Sequence, residues 1–152
     1  MSDFFKKNSI AVVLFFIVVA GLAFSLGRFA LKHPGERRIM YFQSMDTDSI
    51  VCENRYIKTE EGMDEVEAFV DELLLGPMTN RFVRLFPLGT KTESCFVKDD
   101  ILYVNLSKEA LLTSPETCSV KDGVRLLKEN VVKNFTYINT VDVFIDGVSV
   151  GE

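Results

Sequence analysis

Residues 63–77 read MDEVEAFVDELLLGP, and their spacing decides what kind of domain can form around them. Met63, Val66, Phe69, Val70, Leu73 and Leu74 recur at intervals of three and four, which puts them on one face of a helix. Asp64, Glu65, Glu67, Asp71 and Glu72 fall largely on the opposite face and read as solvated surface. Gly76 allows the left-handed cap that ends a helix, and Pro77 cannot continue one. A helix with one apolar face must bury it against another layer, so the flanking sequence has to supply that layer.

It does so with strands. Upstream, 39–43 and the Ile-, Val- and Tyr-rich 50–58 read as two strands joined by the polar turn SMDTDS at 44–49. Downstream, 78–90 reads as a turn-rich connection, and 91–98 and 101–106 as strands joined at Asp99-Asp100. Ser107 is suited to N-cap a short helix through Leu112. After a loop holding Pro115 and Cys118, Ser119 and Asp122 match a capping box. Val120, Val124, Leu127, Val131 and Phe135 then stripe a second long helix. The chain closes with a strand at 140–145, a turn at Asp146-Gly147 and a short strand at 148–150. The predicted class is α+β, with two main helices packed on one face of a mixed or antiparallel sheet of five or six strands.

Ahead of this lies IAVVLFFIVVAGLAFSLG at 10–27, eighteen residues without a charge. As a helix it would rise about 27 Å, close to the thickness of a bilayer core. The predicted organisation is a short leader at 1–9, a transmembrane signal-anchor at 10–31, a linker at 32–38 and one domain at 39–152. A cleaved secretory signal peptide is the competing reading, although the apolar run is long for one. No cysteine follows the run to serve as a lipid-attachment residue. The basic residues after it outnumber those before it, which favours a cytoplasmic domain, whereas a short leader with Lys6 and Lys7 suits a translocated one. Charge leaves the orientation open.

Residues 1–38 carry six basic and two acidic side chains, and 39–152 carry eleven basic and twenty acidic ones. An acidic domain repels a phosphate backbone, so no nucleic-acid partner is expected. The one histidine, His33, lies just past the apolar run, which removes histidine-based acid–base and nucleophilic catalysis from the domain.

Asp46 and Asp48 suggest calcium, but the loop positions that need glycine and glutamate hold Val51 and Ile57, so a hairpin turn is expected. The helix acids point outward and mark no cleft for a carboxylate pair. Gly76 and Gly89 are isolated and form no phosphate loop. Cys52 and Cys95 read as small core residues and Cys118 as the more exposed thiol; one disulfide is possible, with its pairing open. Asn105-Leu106-Ser107 and Asn134-Phe135-Thr136 fit a glycosylation pattern inside predicted elements. No catalytic, cofactor-binding or metal-binding residue is expected.

Three stretches carry a family resemblance: EVEAFVDELLLGP at 65–77, LFPLGTKTESCFVKDDILYVNLSKEA at 85–110, and the helix from Ser119 leading into VDVFIDG at 141–147. Their order resembles the GerMN domain, the sporulation and spore-germination domain of bacterial envelope proteins. The turn at Asp99-Asp100 departs from it in lacking a glycine. The chain also has one copy where tandem copies occur, and an apolar segment where many relatives carry a lipid-attachment cysteine. The resemblance implies an extracytoplasmic, membrane-tethered domain without catalysis, similar to ring-building modules that associate through sheet edges and helix faces. It brings no catalytic residues.

Two functions follow as expectations. The first is an envelope interaction module that binds a protein partner or copies of itself. The alternative is a ligand-sensing or wall-binding domain, which would need Tyr41, Tyr56, Tyr103 and Tyr137 to converge on a pocket.

Overall fold

A long uncharged run satisfies its backbone most simply as a helix, and Ser9–Ala30 form one (α1) in the computed structural model, which describes residues 9–30, 35–47, 49–60, 62–112 and 114–150. The leader at 1–8, the residues 31–34 with His33, and Asp48 lie outside the described residues. Among the described residues no helix is long and apolar enough to cross a membrane, which overturns the transmembrane signal-anchor expected over 10–31. The last turn of α1 carries the charged Arg28, a side chain that is costly to place in a hydrocarbon core. Val13, Leu14, Phe15 and Phe16, four in succession, are exposed, so α1 is apolar around its circumference. The chain divides into two compact units, Met1–Pro34 and Gly35–Glu152.

The second unit is α+β, as its patterning predicts, but its strands form two sheets rather than one. In the first, β1 (Glu36–Ser44) and β2 (Ile50–Ile57) pair antiparallel from Glu36↔Ile57 to Gln43↔Ile50. β1 thus starts at Glu36, three residues before the predicted strand, because β2 offers it partners that far. A two-residue strand, β3 (Phe82–Val83), pairs with the end of β1 inside the segment read as a connection.

The second sheet has the order β4 (Thr92–Lys98), β5 (Ile101–Leu106), β6 (Thr140–Ile145) and β7 (Val148–Ser149). β5 and β6 are parallel, and the crossover between them carries the second long helix. Two tight turns take left-handed backbone at both centres, Asp99 and Asp100 in one, Asp146 and Gly147 in the other. That is the hairpin geometry whose twist suits paired strands, and aspartate adopts it more readily than most residues other than glycine and asparagine.

The helix read from 63–77 is α2 (Glu65–Leu74), capped by the Asp64 carboxylate, which accepts from the Val66 amide at 2.8 Å. Gly76 has φ +87°, the left-handed stop its position predicts. In α3 (Val120–Asn134), Ser119 accepts from the Asp122 amide at 3.1 Å and donates to the Asp122 carboxylate at 2.7 Å. Ser107 does not cap in this way. The segment after it is a single 3-10 turn, Lys108–Leu111, and the Ser107 hydroxyl instead accepts from the Lys91 amide at 3.1 Å.

The core lies between these layers, with Met40, Phe42, Phe69, Leu73, Leu85 and Leu102 fully buried. Phe69 of α2 meets Phe135 edge-on, ring centroids 5.3 Å apart. α3 sits so close to the backbone at Leu85 that a Cβ at Gly123 would run into the Leu85 carbonyl oxygen.

α3 also completes the first sheet. Along 39–41 the side of β1 away from β2 faces two asparagines of α3, set four residues apart. Asn130 accepts from the Tyr41 amide at 2.8 Å and donates to its carbonyl at 2.9 Å. Asn134 does the same for Ile39, at 3.1 and 2.7 Å. The two amides thus pair with the strand as a neighbouring strand would, and they join sheet to helix.

Candidate interaction surface

Strands β1 and β2 each send one arginine inward, and the two stand directly opposite one another, Arg38↔Arg55. Arg55 donates to the Gly76 carbonyl at 2.6 Å and the Glu72 carbonyl at 3.3 Å, at the C-terminal end of α2. It also pairs with the carboxylates of Glu72 at 2.9 Å and Glu53 at 3.2 Å. Arg38 donates to the Asn134 carbonyl at 3.0 Å, at the C-terminal end of α3, and lies 4.5 Å over the Phe135 ring. It pairs as well with Glu36 at 2.7 Å and with Glu65. Each guanidinium therefore meets the unpaired carbonyls and negative end of one helix. These contacts fix the parity of β2, so Val51, Glu53, Arg55 and Ile57 face inward and Ile50, Cys52, Asn54 and Tyr56 face outward.

The outward row is uncharged. Ile50 is 43% exposed and Tyr56 64%, and Arg37 on β1 bonds Asn54 at 3.0 Å. β2 is also the last strand of its sheet, so its outer edge has no strand neighbour among the described residues. The other long edge strand is guarded. β4 carries Glu93 and Lys98 and has a register irregularity between Thr92 and Ser94, two features that discourage edge pairing. Beside the end of β2, a groove of about 700 Å³ runs to the start of β4, lined by Tyr56, Met63, Asp71, Leu75 and Lys91 among others.

The residues singled out in sequence do not converge. Tyr41 is half-buried beneath the Lys133 ammonium at 4.4 Å, Tyr103 stacks on Phe96 at 5.2 Å, and Tyr137 packs on Phe135 at 6.0 Å. Only Tyr56 of the four lines a described groove. Asp46 is paired with Arg81 at 2.8 Å, and among the described residues no group of three or more metal-ligating side chains is assembled. Asn105 is engaged with Glu93 at 2.8 Å and with the Gly147 amide at 3.0 Å, and Asn134 is held by β1, so both glycosylation triplets have committed amides.

The three cysteines are free, and Cys52, expected in the core, is exposed. Burial, reinforced by Glu67, Asp64 and Asp71, pushes the Cys95 thiol up to about 12 from an ordinary 9.0. Burial first, then Asp122, also raises Cys118. Thiol labelling at about pH 8 should therefore modify Cys52 first, Cys118 slowly, and Cys95 only after denaturant is added. The fold holds the Cys95 proton where the unfolded chain loses it. That contribution to stability is complete below pH ~9 and is lost as pH rises towards ~12.

The arginines and asparagines that organise this face escape a sequence reading centred on catalysis. Their signal is inward arginines within alternating strands, and asparagines four apart bordering an apolar stripe.

Comparison with known proteins places this geometry. The model of the family "Germane: Sporulation and spore germination" matches residues 39–151. An uncharacterized lipoprotein of Treponema pallidum (strain Nichols) is 33% identical over 82 residues, 54% of this chain and 61% of that protein. The chain thus spans about three fifths of the curated relative it matches. The first GerMN domain of the sporulation protein GerM from Bacillus subtilis superposes with a TM-score of 0.61 at 19% identity, covering 77% of this chain and 87% of that one. The tandem GerMN domains of the same protein give the same score and identity, over 77% of this chain and 41% of that one. At that identity the likeness is one of fold.

Proposed function

The chain belongs to the Germane family, sporulation and spore germination, across residues 39–151, and from that premise we propose that it is a non-catalytic interaction module of the bacterial cell envelope. The domain acts outside the cytoplasm, associated with a membrane, and binds an envelope protein or further copies of itself. One observation carries this reading. The eight-residue edge strand β2 presents an uncharged outward row and an edge without a strand neighbour, where β4 is guarded. Such an edge accepts a partner strand through backbone hydrogen bonds, while Ile50 and Tyr56 supply apolar contact.

Membrane association is supported by the name of the Treponema relative, a lipoprotein. Confinement to a membrane raises local concentration, so a modest interface suffices. The strongly held ionic side chains, Arg38 and Arg55 with their carboxylates, serve helix ends rather than a cleft, which supports a role in binding over catalysis. Photocross-linking from position 56 in intact cells tests the reading: a discrete adduct in the envelope fraction is expected.

A further inference from the structure

The groove between α3 and the chain just after β7 carries charge opposite to the domain around it. Val120, Val124 and Val150 line it together with Lys121, Arg125, Lys128 and one carboxylate, Glu129, and its volume is about 620 Å³. The three basic residues fall four and three apart, on one helix face. Arg125 is held by Glu129 at 2.9 Å and Asp122 at 3.6 Å. Lys121 and Lys128 have no carboxylate partner among the described residues, although residues 39–152 carry twenty acidic side chains. In an acidic domain, two unpaired ammonium groups beside an apolar lining point to a ligand that brings its own carboxylates.

We propose that this groove docks an extended acidic segment of a partner protein, with apolar side chains on Val120, Val124 and Val150 and carboxylates on Lys121 and Lys128. The shape favours a peptide over an anionic lipid surface. A groove with an apolar lining admits single side chains, whereas a headgroup layer meets a protruding basic face. The strand beside it also suits an extended chain. β7 ends its sheet, Val148 is 69% exposed, and the backbone runs from there into the groove at Val150. The inference rests on reading the domain as an interaction module, and it adds a site separate from β2 together with the chemistry of its occupant.

The test uses the full chain in non-ionic detergent and a fluorescein-labelled peptide of roughly eight residues alternating glutamate and valine, with a lysine–valine peptide for comparison. Fluorescence anisotropy should show the acidic peptide binding with a Kd of tens of micromolar, weakening as salt is raised. The variant K121E/K128E should weaken it about tenfold or more, and K121Q/K128Q by less, both at unchanged melting temperature. Equal binding of the two peptides, no binding up to about 1 mM, or indifference to charge reversal would each overturn the proposal. So would anionic vesicles that bind through Lys121 and Lys128 while the peptide does not, or self-association abolished by K121E/K128E without peptide binding. Position-56 cross-links that persist while peptide binding fails sink this inference alone. Peptide binding without those cross-links sinks the β2 reading alone.

Discussion

Replacing Arg55 by alanine is expected to destabilise the domain by about 3–5 kcal/mol, a fall of roughly 10–20 °C in thermal midpoint. Arg55 is 7% exposed and donates to the Gly76 and Glu72 carbonyls while pairing with Glu53 and Glu72. Truncation leaves the end of α2 with carbonyls that nothing reaches. It also leaves the Glu53 carboxylate, which accepts from the Met78 amide at 3.1 Å, without its cation. Arg55→Lys should recover only part of the loss, because one ammonium cannot span carbonyls and carboxylates on both sides of a planar fork. A midpoint for Arg55→Ala within 3 °C or so of the parent would show that the guanidinium does not hold α2 to β2.

The second large effect is at Asn130. Asn130→Ala should cost about 3–4 kcal/mol, because three hydrogen bonds end in a fully buried side chain. The Tyr41 amide and carbonyl would lose their partners where no strand replaces them, and a small cavity would form. Asn130→Asp is a sharper test. It keeps the shape and the acceptor for the Tyr41 amide but removes the donor for the Tyr41 and Leu126 carbonyls. It should destabilise comparably, whereas Asn134→Ala, nearer solvent, should cost about 1 kcal/mol. Denaturant midpoints measured on the three variants check the order, and equal small losses would contradict it.

The elements that sequence reading recovers are those encoded within a few residues. The Leu73-Leu74 stripe ending at Gly76-Pro77, the Ser119–Asp122 box and the Asp146-Gly147 turn are local chemistry, and the structure realises each. What sequence reading misses is set by distant neighbours. In IVCENRYI both faces hold apolar residues, Ile50, Cys52 and Tyr56 against Val51 and Ile57, so alternation alone does not choose the buried one. The choice falls to Arg55 reaching the end of α2, which turns Cys52 outward and opposes the core assignment. Phe82-Val83 are too short a strand to show as one, yet they give the first sheet its third strand, and that sheet stays separate from the second where one sheet was expected. The N-terminal apolar run is plain in the sequence, but its expected crossing of a membrane is not supported by the length and polarity of the described helix. The β2 surface is legible in sequence only as a strand over 50–58 and as Tyr56, because which strand ends a sheet is a property of topology.

The most direct test of the account places a photoreactive phenylalanine analogue at Tyr56 or Ile50, and at the comparably exposed Leu111, in cells making the full chain. Positions 50 and 56 are expected to give the same discrete adduct in the envelope fraction, with Leu111 giving none. Equal yields from all three positions, or a chain recovered without adducts outside the envelope fraction, would contradict the account.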